Sequence, residues 1–329
     1  MKNFEYAAPR TETEAVELLS PEAGQVEVLA GGTDLVGLMK KMIIKPDRVV
    51  NITEIDSLKR IEPLDDGGVR IGAAVTLDEV LEHPYLENYP AVLQAIRGIN
   101  SMQLQCQGTL GGEVCQRPRC WFWRNGEDLI DTDVEHGDNR FHAIFGNSGP
   151  AKFVSSSRIA PALIALNASL RLIGPGEREE RYLPVGDFYR VPRRTGQREN
   201  VLDPQQMVSH ILLPSPHEGW LNATYEVRAG EGPEFPLASA AAALQVDGLG
   251  VIQDARVVLG QVAPTPWVSE PAQTMLRGLQ VDPEVAEAAG REAVSEATPL
   301  SENGYKVQLA RVAVKRALLL ATGQETGGF

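Results

Sequence analysis

The segment Val26-Glu27-Val28-Leu29-Ala30 is apolar enough for a buried strand, and it runs straight into Gly31-Gly32-Thr33-Asp34. Such a run, closed by glycines, predicts a strand ending in a tight turn. Ahead of it, Thr11 to Leu19 begins with a hydroxyl and early carboxylates, the signature of a short helix with acidic residues in its first turn. Leu35 to Lys41 predicts another short helix and Arg48 to Ile52 another strand. The first fifty or so residues therefore read as a small α/β unit. Further along, Val69 to Val75 predicts a strand, Thr76 to Leu81 and Tyr89 to Ile99 helices, Pro161 to Ala168 an apolar helix, and Leu170 to Ile173 a strand. Between Gly108 and about Pro150 no period is discernible.

The last third has a different texture. Ala238 to Val246 suits helix or strand by propensity. The following Asp247-Gly248 and the apolar runs Val251-Ile252 and Ala255 to Leu259 favour a β-hairpin. Pro283 to Ala297 and Tyr305 to Thr322 predict helices, the second with a broad apolar face and Gly323 just past its end. Strands followed by helices indicate an α+β domain.

Two glycine segments are the candidates for chemistry. Gly31-Gly32-Thr33 follows a strand, and Gly108-Thr109-Leu110-Gly111-Gly112 repeats the theme. Glycine lets backbone approach a ligand closely and offers successive N–H groups to phosphate oxygens. One such turn suits one phosphate; two in different domains would hold a pyrophosphate in a cleft. Neither is a Walker loop or a G-x-G-x-x-G fingerprint, and the pattern alone also fits two unrelated turns.

A chain of 329 residues calls for two or three domains, and 43% hydrophobic with 23% charged residues is a folded composition. The net charge of −13 disfavours nucleic acid as a partner. No stretch is apolar enough for a membrane span, and the N-terminus lacks a secretory apolar segment, so the expected location is the cytoplasm. Cys106, Cys115 and Cys120, an odd number, do not suggest a disulfide framework; Cys106 and Cys115 read as small buried side chains.

In order and spacing, several stretches resemble the FAD-binding medium subunits of the xanthine dehydrogenase and carbon monoxide dehydrogenase family of molybdenum hydroxylases. They include Phe4-Glu5-Tyr6, Leu29 to Leu35, Ile71 to Leu77 and Gly108 to Gly112. They continue with Cys115-Gln116-Arg117-Pro118-Arg119-Cys120-Trp121, Val258 to Trp267 and Pro299 to Lys306. The chain is most similar to the branch of 4-hydroxybenzoyl-CoA reductase β subunits and bacterial aldehyde oxidoreductase flavin subunits.

The resemblance implies an α+β protein with a p-cresol-methylhydroxylase-type FAD-binding fold. Two α/β subdomains, over 1–56 and 57–217, precede a C-terminal α+β domain of the CO dehydrogenase flavoprotein type over 218–329. It implies FAD bound through Ala30, Gly31, Gly32, Thr33, Asp34 and Leu35, and through Gly108, Thr109, Leu110, Gly111 and Gly112, with Thr76 facing the flavin region. It further implies an electron-transfer role beside a molybdopterin-binding large subunit and a [2Fe–2S] small subunit, delivering electrons to an external acceptor. No residue of the chain is expected to act as acid or base on the organic substrate.

Some positions depart from the family's pattern. The branch often carries a [4Fe–4S] cluster here, which takes four thiolates. Only Cys120 matches, the last ligand position falling near Ala151 or Lys152, so no such cluster and no metal ligand is expected. Gln105 and Cys106 replace the family's Arg-Asn, Glu113 follows Gly112 where Asn is usual, and Arg158 follows Ser157 where Asp is usual. Arg158 reverses a charge that would suit ribose or adenine, or else meets a phosphate. These changes leave a second possibility: a flavin-free structural subunit of the same kind of complex. The acidic run Asp131, Asp133, Glu135, His136, Asp138 and the basic run Arg190 to Arg198 read as solvated loops, and Trp121 and Trp123 as interface or packing residues.

Overall fold

The computed structural model describes residues 1–130, 133–175 and 180–326. The chain opens with β1 (Glu5–Ala7), α1 (Glu12–Glu17), β2 (Val26–Leu29), α2 (Leu35–Lys40) and β3 (Arg48–Asn51). Thr11 starts α1, its hydroxyl accepting the N–H of Glu14. The strands pair in parallel in the order β1-β3-β2, with Ala15, Val16 and Leu19 sharing a buried core with Val50 of β3. The sequence predicted every element here except β1. That strand is three residues long and mostly exposed, so it has no apolar alternation to read.

A second unit is built on an antiparallel sheet of β4 (Ile61–Pro63), β5 (Val69–Gly72), β6 (Ser169–Ile173), β7 (Arg181–Pro184) and β8 (Met207–Leu213), in the order β4-β5-β8-β6-β7. Between β5 and β6 the chain forms α3 (Leu77–Glu82), α4 (Pro90–Arg97), α5 (Met102–Gln107), α6 (Leu110–Val114), α7 (Trp121–Arg124) and α8 (Ala160–Ala165). A further turn of helix, α9 (Val185–Phe188), follows β7. Thr76 begins α3 in a capping box with Glu79. α6 and α7 fall where the sequence showed no period, and α5 in the short stretch before Gly108 for which it predicted no element, because helices this short cannot display a period. Val69 to Val75 is strand only as far as Gly72, which lies against the Leu58 carbonyl.

The third unit contains β9 (Trp220–Val227), β10 (Ala238–Val246), β11 (Ile252–Gly260), β12 (Trp267–Val268), α10 (Glu270–Leu276), α11 (Pro283–Ala293) and α12 (Tyr305–Ala321). Its sheet is antiparallel, ordered β12-β11-β10-β9. The alanine-rich stretch that propensity left open is the central strand β10. It is buried from Ala238 to Leu244 and paired on both sides, and α12 lies across it and β9. The hairpin to β11 turns on Asp247, whose carboxylate accepts the N–H groups of Leu249 (2.9 Å) and Val251 (3.0 Å). Gly323 ends α12 at φ +70°, where a side chain would be strained. Among the described residues no helix is long and apolar enough to cross a membrane.

Candidate cofactor-binding site

The loop after β2 is shaped for an anion. Gly32 adopts φ +72°, which turns consecutive amides the same way. Among the described residues, the N–H groups of Gly31, Gly32, Thr33 and Asp34 donate to no acceptor in the protein. Backbone donors left without partners in a folded chain call for water or a ligand. Ala30 and Leu35 flank the loop and are partly buried. The Gly31 carbonyl accepts from Gln107 Nε2 (3.0 Å), so α5 is latched to the loop.

The second glycine segment is arranged differently. Thr109 caps α6, its hydroxyl accepting Gly112 N–H (3.1 Å). Leu110 N–H donates to Val75 O (2.9 Å) and Gly111 N–H to Ala73 O (3.0 Å). Gly108 N–H donates to Leu104 O (2.7 Å). The Leu110 and Gly111 amides hold the segment to the turn between β5 and α3, and that of Gly108 to α5, with Thr76 bridged to Thr109. Thr109 N–H alone on this segment lacks an acceptor among the described residues. The Thr76 hydroxyl is occupied too, donating to Glu79 Oε2 (2.9 Å) and accepting Glu79 N–H (3.2 Å).

Between the two segments lies a cavity of about 200 Å³, lined by Thr33, Leu77, Gly108, Thr109, Glu113 and Gln116, by Ile99 and Leu104, by Arg119 and Arg158, and by Pro233 and Phe235 from the third unit. Of the residues expected from sequence, Thr33, Gly108 and Thr109 meet there. Leu110 and Gly111 are buried in the fold behind, and Gly112 is exposed. The contribution of Pro233 and Phe235 had no sequence signal, since they follow a glycine- and glutamate-rich turn with no motif.

The departures Glu113 and Arg158 prove to be one buried network. Glu113 Oε1 accepts Arg158 N–H (2.8 Å), and Glu113 Oε2 accepts Gln116 Nε2 (3.1 Å). The Arg158 guanidinium grips Glu226 of β9 with two bonds, Nε to Oε1 (3.0 Å) and Nη2 to Oε2 (2.7 Å). Arg158 is therefore bound within the protein rather than free for a phosphate. Gln105 caps the end of α4, donating to Ile99 O (2.9 Å).

Burial pushes the Glu113 carboxyl up to about 7, against the opposing pull of the N–H and charge of Arg158, of Gln116 and of Arg119. A fully ionised carboxylate below phosphates would repel them; a carboxyl whose pKa burial has raised to about 7 carries only part of that charge near neutrality. Between pH 4.5 and about 7 the folded chain holds a proton that the unfolded chain has lost. Stability from this group is thus full at low pH and lost as pH rises through about 7. Glu113→Gln should remove that slope, worth up to about 3 kcal/mol, and raise Tm at pH 8 relative to the unmodified chain. Parallel Tm–pH curves for the two proteins would rule this out.

Other sequence candidates lie elsewhere. Cys106 is exposed on α5 rather than buried as expected, because α5 rests on the surface with no buried residue. Cys115 is partly buried and its thiol is pushed up to about 12 by burial. Cys120 Sγ sits 3.3 Å from His142 Nε2, whose pKa burial and the nearby Lys306 charge lower to about 4. Among the described residues no group of three His, Cys, Asp or Glu side chains is placed to hold a metal. Asp131 lies outside the described residues; Asp133 and Glu135 pair with His136 and Lys152, each at 2.6 Å, on the surface. In the basic run, Arg190 donates to Arg198 O (2.9 Å) and Arg198 pairs with Glu27. Trp123 is buried with Arg117 (4.8 Å) and Arg124 (5.4 Å) against its ring, while Trp121 meets Phe141 edge to face.

Comparison with known proteins matches this geometry to a family. Residues 2–216 fit the model described as the FAD binding domain in molybdopterin dehydrogenase, and residues 223–321 that of the CO dehydrogenase flavoprotein C-terminal domain. The chain is 32% identical over 332 residues to the aldehyde oxidoreductase FAD-binding subunit PaoB of Escherichia coli, covering 98% of this chain and 100% of that one. It is 26% identical to the carbon monoxide dehydrogenase medium chain of Hydrogenophaga pseudoflava, covering 96% of each. The solved carbon monoxide dehydrogenase of Hydrogenophaga pseudoflava that lacks the Mo-pyranopterin moiety superposes with TM-score 0.75 at 25% identity, over 98% of both chains.

Proposed function

The chain belongs to the family of FAD-binding domains of molybdopterin dehydrogenases, and from that membership we propose that it is the flavin subunit that relays electrons within a molybdenum hydroxylase complex. It takes electrons from iron–sulfur centres and passes them to an external acceptor. The observation that carries the cofactor assignment is the row of unpaired N–H groups from Gly31 to Asp34 beside a cavity. Four successive unpaired donors suit a pyrophosphate, and the hydroxyls of Thr33 and Thr109 add to them. On this reading Ala30 to Leu35 form the phosphate-binding loop. Thr76 and Gly108 to Gly112 fix the opposite wall, with Thr109 N–H as its free donor. Burial raises the Glu113 pKa, which weakens the electrostatic objection to an anion there. Bound FAD would supply a centre that accepts electrons singly and releases them in pairs. The chain's own part is to hold it and exclude water.

The relatives are by name a FAD-binding subunit and a medium chain, which supports partners of the same kind here: a molybdopterin-binding large subunit and a [2Fe–2S] small subunit. Three units over 1–56, 57–217 and 218–329 would then share the work, the first two binding the cofactor. Three free thiols suit a reducing cytoplasm. The test is acid extraction of the purified complex with flavin and iron quantification. One FAD per chain is expected, with iron accounted for by the small subunit. A complex without flavin would make the chain a structural subunit instead.

A further inference from the structure

We propose that Arg119 is the cation that neutralises the cofactor's pyrophosphate, acting together with the Gly31–Asp34 amides. This rests on the FAD reading above. A pyrophosphate brings negative charge into a chain whose net charge is −13, and amides supply only partial charges. A full positive charge at the site would offset that negative charge, and the arginines around it are not equivalent.

Arg117 is paired with Glu199 and lies on Trp123. Arg124 is ion-paired with Asp34 Oδ1 (2.8 Å) and donates to the carbonyls of Pro118 (2.9 Å) and Arg117 (3.1 Å). Arg158 holds Glu226 with two bonds. Arg119 is different. It lines the cavity together with Thr33 and Thr109. Its Nη2 donates to Gln116 Oε1 (2.9 Å), but among the described residues its Nε has no acceptor. Its nearest carboxylate oxygen, Asp34 Oδ1 at 3.3 Å, is the one Arg124 approaches more closely, and the other oxygen of Asp34 accepts Arg117 N–H.

The guanidinium lies 4.6 Å over the Phe235 ring, which sets its plane without engaging its donors. Of the five N–H donors a guanidinium carries, most remain for a ligand, in a fork that fits phosphate oxygens. The electrostatics agree. Burial lowers the Arg119 pKa, and Arg124 adds to this against the help of Asp34 and Glu113, an effect that a bound anion would offset.

The experiment measures FAD rebinding to the deflavinated complex by flavin fluorescence, for the unmodified protein, Arg119→Gln and Arg119→Lys, with the Tm of each deflavinated form. Loss of a charge-assisted phosphate contact predicts a Kd roughly 10- to 100-fold higher for Arg119→Gln, an intermediate Kd for Arg119→Lys, and unchanged Tm values. If the unmodified complex binds FAD and Arg119→Gln matches it within about twofold, the inference is wrong and the FAD reading stands. If both variants lose Tm and affinity together, Arg119 is a structural brace and the inference is again overturned. If the unmodified complex binds no FAD at all, the underlying reading itself fails.

Discussion

Arg158→Met should cost about 3–5 kcal/mol of stability, because it strands the Glu226 carboxylate inside the protein. Both partners of this pair are nearly inaccessible, with side chains 2% and 7% exposed. Removing one member of a buried pair leaves a charge that neither water nor another group compensates. Arg228 is nearby but is held by Gly98 O (3.0 Å), and Gly98 itself abuts the Glu226 carboxylate. The pair joins the segment before α8 to β9, so its loss loosens the contact between the second and third units on which Phe235 faces the cavity. Thermal unfolding should show a fall of several degrees in Tm, and Arg158→Met combined with Glu226→Gln should recover much of it. An Arg158→Met protein with unchanged Tm but depleted flavin would assign Arg158 to the cofactor instead.

That pair also shows where the sequence stops being informative. Arg158 stood out as a reversed charge, yet its partner lies 68 residues away on a strand the sequence did not reveal. Glu113 likewise looked hostile to phosphate until its burial, and hence its protonation, was visible. Long periodic elements were legible: α12 and the β10–β11 hairpin announce themselves by apolar faces and by Asp247-Gly248. β8 was missed because a central strand covered on both faces shows no alternation. The resemblance supplied the FAD-binding fold and its flavoprotein C-terminal domain, as the family matches bear out. What it did not supply is the difference between the two glycine segments, since a free amide and an engaged one have the same sequence.

That difference separates two glycine substitutions. A Cβ on Gly31 would overlap the Gln107 carbonyl oxygen and lie 2.8 Å from its carbon, and both obstacles are backbone. No rotamer relieves such a clash. Either the loop or the start of the second segment must move, breaking the Gln107–Gly31 bond and turning the aligned amides apart. Overpacking of this sort costs up to about 3 kcal/mol, so Gly31→Ala should weaken FAD binding on the order of a hundredfold. At Gly112 the obstacle is only the Thr109 hydroxyl at 3.0 Å, on an exposed residue whose N–H is already engaged. Gly112→Ala should therefore change affinity by no more than about tenfold. Gly37, exposed in α2 with nothing within 4 Å of an added Cβ, serves as the control, and Gly37→Ala should bind as the unmodified protein does. Flavin content of the three purified variants ranks them directly. If Gly31→Ala kept its full complement while Gly112→Ala lost it, the pyrophosphate would have to be held by the second segment, and the free amides after β2 would be ordinary solvated loop.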